Sequence, residues 1–333
     1  MRIIVPMAGM GKRMRPHTLT TPKPLIPVAG KPIVQHLVED ILQMCKEQVE
    51  EIAFVIGRFG EEAEKQLLGI ASSLGAKGTI HYQDEPLGTA HAILCAESAL
   101  QGPVVVAFAD TLFRADFTVD PSADGVIWVK QIDDPTQFGV VKTGADGVIT
   151  DFVEKPKEFV SDLAIIGIYY LLDGEGLKQE LRYLIDNNIR EKGEFQLTNA
   201  LENMKAKGKR LMAGRVDEWL DCGNKDATVQ TNARVLEMKY PDNHIASTAK
   251  VIDSIILPPC LIGDGVVIEG SVVGPHVAVG DHATIRNTRV RNSIVRDHAQ
   301  LRDAGIDNSL IGSHAHVKGR LQELSLGDYS THA

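Results

Sequence analysis

Residues 2–13 read RIIVPMAGMGKR, and this stretch indicates both how the chain folds and where its chemistry lies. The run RIIVPM (2–7) is short and almost wholly apolar, which is typical of a strand buried in a sheet. It leads into the small residues Ala8, Gly9 and Gly11, and then into the cations Lys12 and Arg13. Glycines let backbone N–H groups approach a ligand closely. A buried strand followed by a glycine turn and positive charge predicts a phosphate-binding loop.

Two familiar nucleotide loops do not fit this stretch. A Walker loop needs Ser or Thr after Gly-Lys, but Arg13 follows Lys12. A dinucleotide fingerprint needs a third glycine where this chain has Met14. A second basic residue, Lys23, follows in the proline-rich segment TTPKPLIPVAGKP (20–32). Arg13 can hold phosphate oxygens in a fork and Lys23 adds a point charge, so the pattern favours a triphosphate site of another kind.

Apolar runs alternate with helical patterns up to about residue 240. The predicted strands cover residues 2–7, 52–57, 79–83, 103–110, 126–130, 138–142, 148–153 and 164–172. The predicted helices cover residues 33–48, 61–74, 90–100, 175–189, 197–207 and 225–239. This rhythm predicts an α/β domain over residues 1–240, with a Rossmann-like, mostly parallel sheet covered by helices.

Helical periodicity stops after the polar stretch KYPDNH (239–244), and a short motif recurs instead. The four matches are DSIIL (253–257), GSVVG (270–274), NSIVR (292–296) and NSLIG (308–312). Six-residue units such as LIGDGV run between them, and three such units fill one coil of a parallel β-helix. We therefore predict a β-helix over residues 245–333. The serines of the motif lie 17, 22 and 16 residues apart, and the uneven spacing of 22 indicates an extra unit or a bulge.

Composition excludes several classes of protein. The 333 residues carry 35 basic and 44 acidic side chains, a net charge of −9, which argues against a general nucleic-acid or anionic-membrane binder. No stretch approaches the roughly 18 apolar residues of a membrane span, and the chain enters a strand at once, without a signal-peptide pattern. The four cysteines show no CxxC spacing and are typical of free thiols. We expect a soluble cytoplasmic protein with no nucleic-acid or membrane partner.

The segment AGMGKRMRPHTLTTPKPLIPVAGKP (8–32) resembles the N-terminal signature of the sugar-1-phosphate nucleotidyltransferases. Among them, the glucose-1-phosphate thymidylyltransferase branch looks most similar. Further motifs follow in the family's order, namely YQDEPLGTAHAI (82–93), AFAD (107–110), FGVV (138–141), FVEKP (152–156), IGIYYL (166–171), GEFQLTNAL (193–201) and WLDCG (219–223). The resemblance covers about residues 1–240, and the repeats resemble the left-handed β-helix of the family's long members.

The resemblance implies a reaction in which a sugar-1-phosphate oxygen attacks the α-phosphorus of a nucleoside triphosphate (NTP) and displaces pyrophosphate. It implies NTP and sugar-1-phosphate as substrates, with dTTP and glucose-1-phosphate favoured, and Mg²⁺ as cofactor. UTP, or GTP with mannose-1-phosphate, remains an alternative. A bifunctional enzyme whose β-helix also transfers acyl groups, and a non-catalytic regulatory subunit, are less favoured. The apolar interior and open ends of a β-helix lead us to expect a homo-oligomer.

Arg13 and Lys23 resemble the family's catalytic residues, which hold the triphosphate and bridge the reacting phosphates. Asp110 ends a buried strand, where a carboxylate has no packing role, and resembles the first Mg²⁺ ligand. Asp221 resembles the second, and two carboxylates suffice because Mg²⁺ takes its other ligands from phosphates and water. Lys12 departs from the family, which usually has Thr or Ser at this position.

The remaining candidates fall into two groups. The resemblance implies nucleotide binding by Ala8, Gly9, Gly11, Lys12, Gln83, Gly88 and Thr89. It implies sugar-phosphate binding by Gly139, Glu154, Lys155 and Tyr169. A side-chain amide can pair with a pyrimidine edge, while Thr89 is also a candidate N-cap of the following helix. The histidines of the tail are expected on exposed coil corners, namely His276, His282, His298, His314 and His316.

Overall fold

The computed structural model describes residues 1–45, 48–115, 123–320 and 323–332. The chain forms two compact units, Met1–Ile26 with Pro32–Gly223, and Pro27–Lys31 with Asn224–Ala333. The helices are α1 (Ile33–Met44), α2 (Glu61–Ser73), α3 (Thr89–Leu94), α4 (Gly174–Asp186), α5 (Leu197–Ala206) and α6 (Lys225–Lys239). The strands up to residue 221 are β1 (Arg2–Pro6), β2 (Pro27–Val28), β3 (Lys31–Pro32), β4 (Glu51–Ile56), β5 (Lys77–Tyr82), β6 (Val104–Ala107), β7 (Thr111–Arg114), β8 (Gly125–Gln131), β9 (Gly139–Thr143), β10 (Ile149–Glu154), β11 (Leu163–Leu171), β12 (Leu211–Arg215) and β13 (Glu218–Asp221).

The main sheet of the first unit is parallel on one side and mixed on the other. Strand β1 lies between β6 and β4, β4 pairs with β5, and all three pairings are parallel. On the other side, β11 runs antiparallel to β6, β8 and β9, while β9 pairs with β10 and β8 with β12. The predicted Rossmann-like α/β fold is confirmed, and the antiparallel strands extend it.

Burial explains why the parallel strands read as continuous apolar runs. Ile3, Ile4 and Val5 of β1 are fully buried, and Val104–Ala107 of β6 are buried in the same way. Such strands are covered on both faces, so they lack the alternation of a half-exposed strand. Helix α1 buries one apolar face, which comprises Ile33, Val34, Leu37, Val38 and Ile41.

Three loops meet at the carboxyl edge of the parallel strands. They follow β1, β5 and β6, and this edge is where open α/β sheets bind ligands. A separate antiparallel pair, β7 with β13, lies beside it and sets Asp221 opposite Thr111. The amide of Cys222 donates to the Asp110 carbonyl oxygen at 3.0 Å. This pairing brings two segments about 110 residues apart to one place, and the sequence patterns did not predict β7, β12 or β13.

The second unit contains a parallel β-helix, as predicted. Its strands are β14 (His244–Ile245), β15 (Lys250–Ile252), β16 (Ile255–Ile256), β17 (Cys260–Ile262), β18 (Val267–Glu269), β19 (Val272–Val273), β20 (Val277–Val279), β21 (Thr284–Arg286), β22 (Arg289–Val295), β23 (Gln300–Arg302), β24 (Gly305–Ile311) and β25 (His316–Lys318). On one side of the β-helix, parallel pairing aligns one residue of each successive coil, namely Lys250, Val267, Thr284, Gln300 and His316. Inward-facing Val, Ile and Leu side chains form its apolar core.

The interpretation of the 22-residue spacing as an extra unit or bulge is wrong. Ser271 aligns with Thr288, not with Ser293, because the Thr288 amide donates to the Ser271 hydroxyl at 3.1 Å. Ser293 lies on another side of the coil, opposite Val277 and Ser309. The paired strands place every coil 16 or 17 residues after the last. The apparent irregularity arose from comparing serines on two different ladders.

Histidines mark one corner of the coils. His282, His298 and His314 are exposed and have left-handed backbone conformations with φ of 58°, 58° and 59°. Their rings stack in sequence, with centroids 5.1 and 4.8 Å apart. The expectation of exposed coil corners is confirmed for these three residues. It is wrong for His276, which has a left-handed backbone but is only partly exposed, and for His316, which is exposed within β25 and not at a corner.

Helix α6 packs within the second unit. The Asn232 carboxamide oxygen accepts from the Ala29 amide at 2.8 Å, and Lys225 donates to the Asn308 carbonyl oxygen at 2.9 Å. Glu237 lies 2.9 Å from the His276 ring. The limits of 1–240 and 245–333 for two domains stay a prediction. In the described part of the chain, no helix combines the length and apolar character needed to cross a bilayer.

Candidate functional site

A cleft of about 430 Å³ opens at the carboxyl edge of the first unit. The predicted nucleotide and catalytic residues that line it are Ala8, Gly9, Gly11, Lys12, Arg13, Lys23, Gln83, Gly88, Thr89 and Asp110. These residues come from four separate segments of the sequence. The loops that follow β1, β5 and β6 therefore meet around one cavity, together with the segment that carries Lys23.

The glycine turn after β1 depends on Gly11. Its φ is +56°, and an added Cβ would lie 2.9 Å from the Cβ of Lys23. The Thr18 hydroxyl donates to the Gly11 carbonyl oxygen at 2.9 Å, and Met14 anchors the turn in the core. Lys12 and Arg13 are left exposed. A tight, anchored turn thus presents two cations to the cleft.

Lys23 is held at the base of the cleft by an ion pair. Its Nζ lies 2.9 Å from Oδ2 of Asp110, and Lys23 is only 9% exposed. The Asp110 side chain is 45% exposed, so the pair has a buried cation and an open carboxylate. A buried charge keeps its position because it has few alternatives, and Lys23 is fixed for contact with an anion.

Asp221 lies beside this pair at the end of β13. Its Oδ1 accepts from the Gly223 amide at 2.9 Å. Desolvation raises the pKa of the Asp221 carboxyl, and the negative charge of Asp110 raises it further, while Lys23 and Arg13 act in the opposite direction. Arg13 lies near the same place. A Cβ added to Gly223 would lie 2.9 Å from Oδ1 of Asp221 and 3.3 Å from Nη2 of Arg13.

Asp110 lines the cleft, and Asp221 lies beside it, where the pairing of β7 with β13 and the Cys222 amide hold the two segments together. Among the residues that the structure describes, no group of three or more His, Cys, Asp or Glu side chains converges on one point. Desolvation is the largest cause of the raised pKa of Asp221, and the charge of Asp110 adds to it. A divalent cation would offset both effects. The donor set suits Mg²⁺, which binds through one or two carboxylates and takes phosphate oxygens and water for the rest.

Gln83 follows β5 and lies against the start of α3. Its amide Nε2 lies 3.1 Å from the Gly88 carbonyl oxygen and 3.2 Å from Nδ1 of His91. Burial lowers the pKa of the His91 imidazole, although Glu85 raises it in part. The amide group of Gln83 is therefore fixed in place before any ligand enters.

Gly88 is required by packing against a neighbouring segment. Its φ is +117°, and an added Cβ would lie 2.4 Å from the Phe195 carbonyl oxygen. Backbone hydrogen bonds join Phe195 to Leu87 and Ala90 on either side. A close approach of two backbones therefore explains this glycine without any ligand.

Thr89 begins α3 but does not cap it, because the N-cap position is Gly88 and no side chain caps that end. The Thr89 hydroxyl instead accepts from the Leu197 amide at 2.9 Å, the first amide of α5. The alternative role of Thr89 as the N-cap of its own helix is wrong. Its hydroxyl joins α3 to α5 across the edge of the cleft.

The predicted sugar-phosphate residues form a second group that does not line this cleft. Gly139 of β9 pairs with Glu154 of β10, and a Cβ on Gly139 would lie 3.1 Å from Oε2 of Glu154. The Thr198 hydroxyl donates to the same Oε2 at 3.3 Å, and Lys155 Nζ lies 3.6 Å from Oε1. Glu154 is largely enclosed, whereas Lys155 is half exposed.

Tyr169 lies behind the cleft rather than in its lining. It is 6% exposed, and burial raises the pKa of its phenol far above the usual range, helped by the Glu154 charge. Its ring meets that of Phe108 edge to face, with centroids 6.3 Å apart. Phe108 itself lines the cleft, so Tyr169 supports the wall through that ring.

Two residues of this region were not predicted from the sequence. Glu194 lines the cleft and accepts from Gln196 at 3.1 Å. His91 contacts Gln83, as described above. Glu194 lies within the quoted motif GEFQLTNAL, and His91 interrupts an otherwise apolar helical run. Those two signals could have singled them out.

Comparison with known proteins places these features in a family. Residues 3–238 match the family described as nucleotidyl transferase. The chain is 31% identical over 282 residues to the bifunctional protein GlmU of Methanococcus maripaludis, a match that covers 83% of this chain and 62% of that relative. The chain thus matches less than two thirds of that relative's length. It is 29% identical over 318 residues to glucose-1-phosphate thymidylyltransferase of Streptomyces antibioticus, covering 89% of this chain and 87% of that one. A solved structure of UDP-glucose pyrophosphorylase complexed with UDP-glucose matches 71% of this chain and 98% of its own, with a TM-score of 0.58 and 26% identity.

Proposed function

Because this chain belongs to the nucleotidyl transferase family, we propose that it transfers a nucleotidyl group from an NTP to a sugar-1-phosphate. The products are a nucleoside diphosphate sugar and pyrophosphate. We favour dTTP and glucose-1-phosphate as substrates, and Mg²⁺ as the cofactor. The thymidylyltransferase relative aligns over most of both chains, which supports this choice.

The observation that carries the proposal is the meeting of cations and carboxylates in one cleft. Arg13 and Lys12 lie on a glycine turn, and the buried Lys23 is paired with Asp110. A site for two anionic substrates needs this mixture. The cations neutralise phosphate charge, and the carboxylates suit a divalent ion that neutralises more of it.

The proposed mechanism is a direct displacement at the α-phosphorus, without a covalent enzyme intermediate. Arg13 holds the β- and γ-phosphates and stabilises the departing pyrophosphate through its fork of N–H donors. Lys23 contacts the reacting phosphates from the base of the cleft and lowers the repulsion between the two substrates. Asp110 and Asp221 would hold Mg²⁺, which supplies charge neutralisation and orientation of phosphate oxygens.

The base and the sugar are assigned to different segments. Gln83 and the backbone near Gly88 and Thr89 would contact the base. Glu154 would accept from sugar hydroxyls, and Lys155 would contact the sugar phosphate. Gly139 of β9 would contribute backbone to the sugar side, and Tyr169 of β11 would support that side from behind through Phe108. These roles follow the motif order of the family.

UTP is the second candidate nucleotide. A relative named bifunctional protein GlmU and a solved structure named UDP-glucose pyrophosphorylase, in complex with UDP-glucose, favour it. Transfer of a guanylyl group from GTP to mannose-1-phosphate, with release of pyrophosphate, comes next. Uracil and thymine differ by one methyl group, a difference that a pocket distinguishes only modestly.

A pyrophosphate-release assay tests the proposal. Full-length protein is incubated with Mg²⁺ and each of dTTP, UTP, GTP, CTP and ATP against glucose-, mannose- and N-acetylglucosamine-1-phosphate. Pyrophosphate release that requires both substrates supports the proposal. The NTP and sugar-1-phosphate with the highest kcat/KM are then the preferred substrates. No release with any pair would favour a non-catalytic regulatory subunit. Acetyl transfer from acetyl-CoA to glucosamine-1-phosphate would favour the bifunctional alternative.

We also propose that the chain forms a homo-oligomer through its β-helix and works in the cytoplasm. Within the described residues, the strands of the first coil pair with another coil on one side only, and exposed apolar side chains of this coil include Ile245, Val251 and Ile255. Exposed apolar clusters at the end of a sheet favour association.

A further inference from the structure

The two contacts of the Gln83 amide identify which of its atoms is the nitrogen. The Gly88 carbonyl oxygen can only accept a hydrogen bond, so the atom of Gln83 that lies 3.1 Å from it must be the NH₂ group. The same nitrogen lies 3.2 Å from Nδ1 of His91. One hydrogen of the Gln83 NH₂ group is therefore donated to the Gly88 carbonyl oxygen and the other to Nδ1 of His91. Oε1 of Gln83 makes no hydrogen bond within the described part of the chain and is left for a ligand.

The state of His91 follows from the same contact. Its Nδ1 faces an N–H donor, so this nitrogen is unprotonated and accepts, and the ring proton lies on Nε2. The imidazole also has a backbone hydrogen bond at Glu85. His91 lies on α3, directly beside the cleft-lining Ala92. It is thus held as a neutral acceptor aimed at Gln83.

We propose that His91 is a positioning residue that fixes the Gln83 amide so that only its carbonyl oxygen faces the base. The inference rests on the proposed function, because it takes Gln83 to contact the base of an NTP. A lone acceptor at this position selects a base that offers a ring N–H donor. Uracil and thymine offer N3–H, and guanine offers N1–H.

The same arrangement disfavours the other two bases. A glutamine reads adenine with a donor and an acceptor together, but the donor hydrogens of Gln83 are already used. Cytosine presents an unprotonated ring N3 at the matching position, which would face Oε1 lone pair to lone pair. A polar group left without a partner in a closed site weakens binding strongly.

Binding measurements test the base selection without requiring turnover. Calorimetric titration of full-length protein with UTP, CTP and 3-methyl-UTP, all with Mg²⁺, compares nucleotides that differ at the ring nitrogen. We expect UTP to bind at least about tenfold more tightly than CTP and than 3-methyl-UTP, since one lost hydrogen bond is worth about this factor. Equal affinities for UTP and 3-methyl-UTP would overturn the inference.

Substitution of His91 tests its part in the selection. His91→Phe keeps the ring but removes the acceptor, so Gln83 can turn over, and we expect the UTP-to-CTP affinity ratio to fall by about tenfold. His91→Asn places a carboxamide oxygen near the position of Nδ1 and should restore much of the ratio. His81→Phe on the neighbouring β5 is the matched control, because His81 contacts Thr79 and not Gln83. An unchanged ratio in His91→Phe would overturn the positioning role.

The dependence of the Michaelis constant on pH separates positioning from packing. Protonated His91 has no acceptor and would push away the Gln83 NH₂, so the KM for UTP should rise as the pH falls through the pKa of His91. Burial sets that pKa below its ordinary 6.5, and Glu85, the acidic side chain acting on the ring, opposes the shift. His91→Asn should lack this rise, because a carboxamide does not titrate in this range. A rise of equal size in the two proteins would contradict the inference.

The outcomes for the two proposals are distinguishable. If no sugar-1-phosphate supports pyrophosphate release, but UTP still binds more tightly than 3-methyl-UTP and His91→Phe lowers the UTP-to-CTP affinity ratio, the proposed function fails and the role of His91 stands. If pyrophosphate release is observed and His91→Phe leaves the UTP-to-CTP affinity ratio unchanged, the proposed function stands and the inference about His91 fails.

Discussion

The ammonium of Lys23 lies 2.9 Å from Oδ2 of Asp110, although 87 residues separate them in the chain. The cation is buried and the carboxylate is half exposed, so the pair is asymmetric. Lys23 has little freedom to leave its position, whereas Asp110 can still bind a ligand with its other oxygen. This relationship makes the site electrostatically prepared for phosphate before substrates arrive.

Replacing Lys23 with methionine should reduce activity far more than stability. We expect kcat to fall by about 10²- to 10³-fold, because one preorganised donor to a developing charge is worth that much. The melting temperature should change little, because Asp110 is half exposed and stays hydrated after it loses Lys23 as a partner. Initial rates and thermal unfolding measure the two effects. Lys65→Met, at an exposed position on α2, is the control, and equal activity of both variants would contradict the role of Lys23.

The substitutions Asp110→Asn and Asp221→Asn should each cut turnover by at least about 10²-fold, because an amide is a poor ligand for Mg²⁺. Circular dichroism should show both variants folded. The Mg²⁺ concentration needed for half-maximal rate should rise in both. Asp186→Asn, at an exposed position at the end of α4, serves as the control. Wild-type rates at ordinary Mg²⁺ in either cleft variant would rule out the metal assignment.

Two glycines of the cleft should respond to alanine in opposite ways. Gly88→Ala puts a Cβ 2.4 Å from the Phe195 carbonyl oxygen at a φ of +117°, and we expect a loss of about 2 kcal/mol or more in unfolding free energy. Gly9→Ala meets no atom within 4 Å, so stability should change by less than about 0.5 kcal/mol. Because Gly9 lines the cleft, the added methyl group should hinder the approach of phosphate, and the KM for NTP should rise. Chemical denaturation measures the stability of both variants, and steady-state kinetics measures the KM. A clear loss of stability in Gly9→Ala would contradict the expectation for this position.

Cys260 should resist alkylation at neutral pH. Burial raises the pKa of its thiol from 9.0 to about 11, and the reactive thiolate is therefore scarce at pH 8. Cys45 is partly exposed and should be modified first by iodoacetamide. Because the folded state keeps the Cys260 proton, modification should accelerate only as the pH rises toward 11. Peptide mass spectrometry follows each cysteine, and early labelling of Cys260 in folded protein at pH 8 would contradict this expectation.

The open end of the β-helix should determine the oligomeric state. We expect light scattering of the full chain to give a mass above that of one protomer. Val251→Lys introduces a charge into the first coil and should shift the particle toward the monomer. Leu68→Lys, at an exposed apolar position of α2 in the first unit, is the matched control. A monomeric wild-type protein at working concentration would remove the proposal.

Local patterns predicted most of the sheet and of the glycine loop. β1, β4 and β6 are buried on both faces and therefore read as unbroken apolar runs, which are easy to recognise. The short strands β7 and β13 carry no comparable pattern, because each is a four-residue strand beside a cleft. Their pairing joins Thr111 to Asp221, and no local signal could show that Asp110 and Asp221 meet.

Residue type alone also left some reasons hidden. The resemblance assigns Gly88 to nucleotide binding, and the approach of Phe195 is a second reason for a glycine there. The serines of the repeat were compared along one series, although Ser271 and Ser293 belong to different sides of the coil. Both cases depend on which distant segment lies opposite, and that information is absent from a local sequence window.

The hydrogen bond from the Cys222 amide to Asp110 makes the site sensitive to local opening. If β13 separates transiently from β7, the two carboxylates part while the buried parallel strands stay intact. Hydrogen–deuterium exchange at Cys222 would then report how often the site is dismantled in the native protein. Sequence changes at Glu218, Trp219 or Leu220 of β13 could in this way alter the fraction of competent molecules, with neither carboxylate of the site replaced.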